Sequence, residues 1–281
     1  MEILRTAAEI TRFAKAAQQA GKVIGLVPTM GALHEGHLTL MRAAKAKCDV
    51  VIASVFVNPV QFGPNEDYDA YPRRFEEDCR SLESVGVDAV FHPEPKEMYP
   101  EGYGTYINVE SDFTRKLCGG QRPGHFRGVA TVVTKLMNLS RAQEAFFGQK
   151  DAQQVLVIRR FVKDLNLQVN VNMVPIVREE SGLARSSRNA YLSEPERAAA
   201  LVLSRSLRKA ENAWKAGETD AESLKKLVRE EIQSEPLAEI DYVELYSFDE
   251  LKEIQEVRGE SLLALAVRIG KTRLIDNIII G

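Results

Sequence analysis

The first 21 residues, MEILRTAAEITRFAKAAQQAG, break their apolar positions with a charge every few residues. That spacing predicts an amphipathic helix rather than a secretion signal. KVIGLVPT (22–29) is a short apolar run ending in Pro28, and it predicts a strand. LTLMRAAKAKC (38–48) has helical periodicity. DVVIASVFV (49–57) is nearly all apolar and β-branched, as a strand buried on both faces is. RRFEEDCRSLESVG (73–86) reads as an amphipathic helix stopped by Gly86, and VDAVFHP (87–93) as a strand. GVATVVTKLMNLSRA (128–142) reads as a helix despite its β-branched residues. EAFFG (144–148), AQQVLVIRRFVKDL (152–165) and QVNVNMVPIV (168–177) continue as strand, helix, strand.

Units of about thirty residues that alternate in this way predict an α/β fold, a parallel sheet with helices on both faces. The rhythm changes near 175–180. Residues 193–217 predict one long helix, with Ser193 and Glu196 at capping-box spacing. A second helix is expected at 219–233, and strand-like segments at 239–248 and 261–280. The division expected is a domain at 1–177 and a smaller α+β domain at 178–281. No linker-like stretch separates them, so close packing is expected.

Composition narrows the picture little. At 281 residues the chain is long enough to bury a sizeable core, and 44% hydrophobic with 27% charged is ordinary for a globular protein. No apolar run reaches the roughly 18 residues of a membrane span, so a cytoplasmic enzyme with no membrane partner is expected. A formal net charge of -3 gives no general field for nucleic acid, and none is expected as a partner. Cys48, Cys79 and Cys118 are too few and too far apart for a disulfide framework or a zinc knuckle.

Four segments carry candidate chemistry. PTMGALHEGHLTL (28–40) lies where a strand gives way to a helix, the place where an open parallel sheet binds ligands. The helix start offers N–H groups to an anion. Gly31 and Gly36 let the backbone approach closely. His34 and His37, three apart, could both face one phosphate. A zinc site fits poorly, because the two histidines lack i,i+4 spacing and Gly36 is a poor helix former. In VFVNPVQFGPNEDYDAYPR (55–73), Asn58-Pro59 ends a strand, and Gln61 falls on a long loop at the same sheet edge as His37. A glutamine donates and accepts, which suits a small hydroxy acid. FFGQKDAQQ (146–154) places Gly148 and Lys150 at another strand-to-helix junction. There Lys150 can offset phosphate charge. Asp151 and Gln154 have capping-box spacing, which fits a helix cap as well as a ligand contact. SGLARSSRNAYLS (181–193) sets Ser186, Ser187 and Arg188 in a row: a phosphate grip or a solvated loop.

Other nucleotide signatures fail. The Gly-Lys-Thr at 270–272 resembles the end of a phosphate loop, but Leu265 stands where glycine is required. GYGTYI (102–107) ends on Ile107 where a dinucleotide fingerprint needs glycine.

Together, PTMGALHEGH, VFVNPVQF, RPGHFRGVATVV (122–133), FFGQKDAQQ, LARSSRNAYLS and RLIDN (273–277) resemble the pantothenate synthetase family, in order and spacing, over nearly the whole chain. The His34-x-x-His37 element resembles the wider nucleotidyltransferase superfamily that includes class I aminoacyl-tRNA synthetases. The resemblance implies a Rossmann-like domain for ATP and pantoate, with 178–281 as its lid. It implies condensation of pantoate with β-alanine through a pantoyl adenylate, releasing AMP and pyrophosphate. ATP is then a substrate accompanied by Mg2+, with no metal held by protein ligands alone. Pro28, Thr29, Met30, Gly31, Ala32, Leu33, His34, Glu35, Gly36 and His37 would line the ATP site. His37 would serve as acid or transition-state stabiliser, with His34 beside it. Gly148, Gln149, Lys150, Asp151 and Val177 would contact the nucleotide. Arg185, Ser186, Ser187 and Arg188 would close over the phosphates. Gln61 and Gln154 would hold pantoate, with Gln61 also near β-alanine. A homodimer through the N-terminal domain is implied. Arg185 departs from the Leu or Met expected there. The rival expectations are a nucleotidyltransferase whose nucleotide-containing product persists when amine is added, and a silent nucleotide-binding module.

Overall fold

The computed structural model describes residues 1–64 and 66–281, and they form two compact units. The first comprises Met1–Thr114, Cys118–Gln149 and Gln153–Pro175; the second comprises Arg115–Leu117, Lys150–Ala152 and Ile176–Gly281.

Up to Val174 the elements in chain order are β1 (Glu2–Leu4), α1 (Ala7–Gln19), β2 (Ile24–Thr29), α2 (Glu35–Lys47), β3 (Val50–Val55), α3 (Phe75–Ser84) and β4 (Ala89–Phe91). The short helices α4 (Pro95–Met98) and α5 (Leu117–Gln121) follow, then α6 (His125–Ser140), β5 (Glu144–Gly148), α7 (Ala152–Asp164) and β6 (Asn170–Val174). The strands lie in the order β1-β4-β3-β2-β5-β6, and every pairing is parallel. From β2 the chain winds one way through β3 and β4. It then returns to β2 and winds the other way through β5 and β6. The winding reverses between β2 and β5, so the carboxyl ends of those strands flank the crevice where such sheets bind ligands.

Burial explains the strands. All of β3 is buried, as a strand covered on both faces must be. Val27, Val51, Ala53 and Phe146 pack with Leu40, Met41 and Ala44 of α2 and with Leu82 of α3. Helix α6 forms through Val129, Thr131, Val132, Val133 and Thr134 because their burial outweighs the weak helix propensity of β-branched residues. It starts at His125, earlier than predicted, behind Gly124 in a left-handed conformation (φ 81).

One expectation is corrected at the N-terminus. Residues 2–4 are a strand, and the helix begins only after Thr6. Leu4 pairs with Phe91 on the sheet edge, a tertiary pairing that three residues cannot advertise by periodicity. Thr6 and Glu9 form a capping box that fixes the helix start.

The second unit carries α8 (Glu194–Lys215), α9 (Ala221–Gln233), β7 (Ala238–Ser247), β8 (Ser261–Ile269) and β9 (Thr272–Ile280). The three strands form an antiparallel sheet in the order β7-β8-β9. Val202, Leu203 and Leu207 of α8 and Leu224 and Val228 of α9 share its core with Leu263, Leu265 and Val267 of β8. Residues 261–280, expected as one strand-like segment, are two strands. They join at a two-residue hairpin, Gly270–Lys271, with Gly270 at φ 57. The Gly-Lys-Thr at 270–272 is thus a hairpin turn that opens no helix. Among the described residues, no helix is long and apolar enough to cross a membrane.

Candidate active site

In the first unit, β2 ends at Thr29 and turns sharply into α2. Gly31 (φ 87) and Ala32 (φ 49) are both left-handed. A Cβ on Gly31 would lie 2.9 Å from Asp78 Oδ2 and 3.0 Å from Val55 Cγ1, so only glycine fits. Thr29 Oγ1 donates to Ser54 O at 2.6 Å and accepts from Gly31 N at 3.2 Å. Asp78 of α3 closes the turn from the other side: it accepts from Ala32 N at 3.0 Å and Leu33 N at 2.7 Å. Burial pushes the Asp78 carboxyl up, and the two N–H groups oppose it. This carboxylate holds a strained non-glycine turn in place.

Helix α2 starts at Glu35, not at 38 as predicted, with His34 as its cap residue. An imidazole cap, with Gly36 in the first turn behind it, does not resemble the usual Ser, Thr or Asp signal, which explains the late prediction. His34 N donates to His37 Nδ1 at 3.3 Å, and the two rings stack with centroids 4.0 Å apart. An accepting Nδ1 puts the proton of a neutral His37 ring on Nε2. The first turn of α2 therefore offers backbone N–H groups and an imidazole donor together, a set suited to phosphate oxygens. Glu35 is engaged with Arg42 on the same helix.

Gln61 sits on a turn of 3-10 helix, Pro59–Gln61. Asn58 Nδ2 donates to its Oε1 at 3.0 Å, and its own Nε2 approaches Met30 Sδ at 3.1 Å. Asn58 is buried and also accepts from Tyr99 OH at 2.7 Å. From α6, His125 Nδ1 lies 2.9 Å from Gln61 O. Arg122 Nη1 lies 3.0 Å from His125 Nε2, and the Arg122 guanidinium pairs with Glu66. Met30, expected to line the ATP site, and Gln61, expected to hold pantoate, are therefore in contact, within a frame the sequence did not announce.

Gly148 ends β5, Gln149 begins a short 3-10 turn, and Gln154 lies in the first turn of α7. Neighbouring Gln153 is buried and donates to Phe113 O at 2.8 Å, whereas Gln154 is only half-buried.

In the second unit, Lys150 Nζ lies 3.8 Å from Asp151 Oδ1. Val177 O accepts from Arg185 N at 2.9 Å, closing a tight antiparallel arm over 177–185. At its end Ser186 Oγ accepts from Arg188 N at 3.3 Å and caps a 3-10 turn, Ser187–Tyr191. Asn189 ties that turn down through Ala184 O (3.0 Å) and Glu179 (3.1 Å). Ser186, Ser187 and Arg188 thus lie on an ordered turn rather than a loose loop. Arg185 Nε is buried without a hydrogen-bond partner among the described residues, a costly state for a guanidinium nitrogen.

Asn58, Asp78 and His125 are absent from the sequence-based site. Asn58 reads as the residue before Pro59. Asp78 ends the acidic run Glu76-Glu77-Asp78, which looks solvated. His125 lies inside a motif singled out only by resemblance.

The model of the pantoate–β-alanine ligase family matches residues 2–279. This chain belongs to that family. A pantothenate synthetase of Pelotomaculum thermopropionicum is 60% identical over the whole chain and 99% of its own length. One from Acetivibrio thermocellus is 54% identical over equal coverage. The crystal structure of pantothenate synthetase from Thermus thermophilus superposes with a TM-score of 0.94 at 42% identity, covering 99% of both chains. A pantoate–β-alanine ligase from Francisella tularensis, complexed with beta-gamma ATP and β-alanine, gives a TM-score of 0.82 at 35% identity, covering 99% of this chain and 97% of that one. As a pantoate–β-alanine ligase, the chain joins pantoate to β-alanine with ATP.

Proposed function

We propose that this ligation runs through a pantoyl adenylate built on the turn from Pro28 to His37. The observation that carries the reading is the coupled His34–His37 pair at the start of α2, where His37 Nε2–H and the helix N–H groups form one donor set. A pantoate carboxylate oxygen attacks the α-phosphorus of ATP; an O–P bond forms, and the bond to pyrophosphate breaks. The β-alanine amine then attacks the acyl carbon; a C–N bond forms, the C–O bond to AMP breaks, and the amine proton leaves to solvent. In-line attack at phosphorus needs positioning and charge neutralisation more than a covalent nucleophile.

His37 and His34 meet charge developing on the α-phosphate. Lys150, Ser186, Ser187 and Arg188 offset charge on the departing pyrophosphate. Pro28, Thr29, Met30, Gly31, Ala32, Leu33, Glu35, Gly36, Gly148, Gln149, Asp151, Val177 and Arg185 line the nucleotide. The unsatisfied Arg185 Nε suits a phosphate oxygen better than an apolar contact. Gln61 and Gln154 hold pantoate. Mg2+ arrives as part of the MgATP substrate. The donor set of residues 28–37 fits phosphate oxygens rather than a carboxylate cage, and Mg2+ commonly keeps its waters and phosphate ligands. Residues 1–177 bind ATP and pantoate, and 178–281 act as the lid. A homodimer through the first domain, in the cytoplasm, completes the reading. Incubation with MgATP, pantoate and β-alanine tests it: AMP and pyrophosphate are expected, and ADP with inorganic phosphate would overturn it.

A further inference from the structure

The RLIDN stretch at 273–277 lies on β9, in the second unit, far in sequence from every segment assigned to the site. Its surroundings are Leu274, Ile275, Ile278, Ile279 and Ile280. Two adjacent residues break that apolar run, and both are buried: Asp276 at 2% and Asn277 at 3% exposure. Successive strand side chains point to opposite faces, so the two polar groups work in opposite directions.

Asp276 reaches the base of the 177–185 arm. Arg178 Nη1 donates to its Oδ2 at 2.6 Å and Nη2 to its Oδ1 at 2.9 Å. The same guanidinium donates to Gly182 O at 3.2 Å, across the tip of the arm. The arm leads directly into Ser186, Ser187 and Arg188. Asn277 reaches the other segment: its Nδ2 donates to Lys150 O at 3.0 Å. Asn277 N in turn donates to Asp276 Oδ1 at 2.8 Å, which joins the two contacts.

Asp276 is buried but Arg178 is half-buried, and a partly desolvated carboxylate–guanidinium pair is a poor source of stability compared with well-packed apolar side chains. What such a pair supplies is geometry, because two parallel hydrogen bonds fix both distance and orientation. We infer that Asp276, Asn277 and Arg178 are positioning residues, which set Lys150 and the Ser186–Arg188 turn relative to each other from one rigid strand. The inference rests on the reading of Lys150 and Arg188 as phosphate-binding groups. It assigns a role to the one quoted motif the site had left unused. It also explains why the Leu-Ile and Ile-Ile-Ile runs of β9 are interrupted by Asp-Asn at that register.

The test is pantoate-dependent exchange of labelled pyrophosphate into ATP, with kcat and pantoate KM separated and the folded fraction checked by thermal unfolding. Asn277→Ala is expected to lower kcat by about tenfold to a hundredfold, the size of loss a small misplacement causes, with pantoate KM unchanged. In a Lys150→Ala background the same substitution should have almost no further effect, because the side chain it aims is gone. Arg178→Lys keeps the charge and loses the paired bond; it should behave in the same way against Arg188→Ala. Losses that simply multiply in the double variants overturn the positioning role. Unimpaired exchange in Lys150→Ala would instead overturn the reading of Lys150 itself, and this inference with it.

Discussion

His37 enters the first turn of α2 with Nδ1 engaged by the His34 amide, which makes its Nε2–H the donor able to face a phosphate. The residue makes no contribution to the buried face of α2, which is Leu40, Met41 and Ala44. His37→Ala should therefore keep the fold and lose adenylate formation. Removing one preorganised donor typically costs about 10²–10³ in rate. Pyrophosphate exchange measured on a variant of unchanged melting temperature checks this, and unchanged exchange would remove His37 from the mechanism. At this scale the sequence pointed to the groups proposed to meet phosphate, since two histidines and two glycines at a strand-to-helix junction suit an anion site. It did not reveal the groups that hold them. Asp78 holds backbone amides 46 positions away, and Asn58 is itself held by Tyr99 and Gly128, 41 and 70 positions away, and no local spacing encodes that.

At the scale of elements, the contact of α6 with the Pro59–Gln61 turn decides where Gln61 points. A Cβ on Gly128 would lie 2.6 Å from Gln61 Cα, Gln61 N and Val60 O, all backbone atoms that cannot swing aside. Gly128→Ala should push that turn off α6, destabilise the protein by roughly 1–3 kcal/mol and raise the KM for pantoate. Calorimetry should find nucleotide affinity unchanged, because the turn at 28–37 does not rest on Gly128; loss of ATP affinity alone would contradict the assignment. The longer elements were legible because their periodicity is set by burial on whole faces, as in β3 and α8. The short ones were not. Strand β1 is defined by its pairing with β4, and the turn between β8 and β9 is only the two residues Gly270-Lys271, with no longer loop-like stretch to separate the strands.

For the whole molecule, acid is the informative stress. Burial raises the Glu66 carboxyl, but the Arg122 guanidinium outweighs it and holds the group below its ordinary value of 4.5. Burial likewise raises Glu144, and Asn172, Lys47 and Asn170 together bring it below 4.5. A carboxylate depressed in the folded state contributes stability above its unfolded pKa and loses it as pH falls through the folded value. Asp78, raised by burial, works the opposite way near its ordinary value of 3.8. The melting temperature is expected to hold from neutrality to about pH 5 and to fall below about 4.5, and Glu144→Gln should flatten that fall. An identical acid profile in the variant would show that Glu144 is not part of it.

The central claim is that pantoate is activated at the α-phosphate, and one labelling measurement tests it most directly. Pantoate carrying heavy oxygen in its carboxylate is turned over with MgATP and β-alanine, and the products are resolved by mass. If the carboxylate attacks the α-phosphorus and the amine then breaks the acyl C–O bond, one labelled oxygen stays with AMP. Label in AMP, with none in pyrophosphate, is the result this account predicts. Label in inorganic phosphate, with ADP as the nucleotide product, would contradict it.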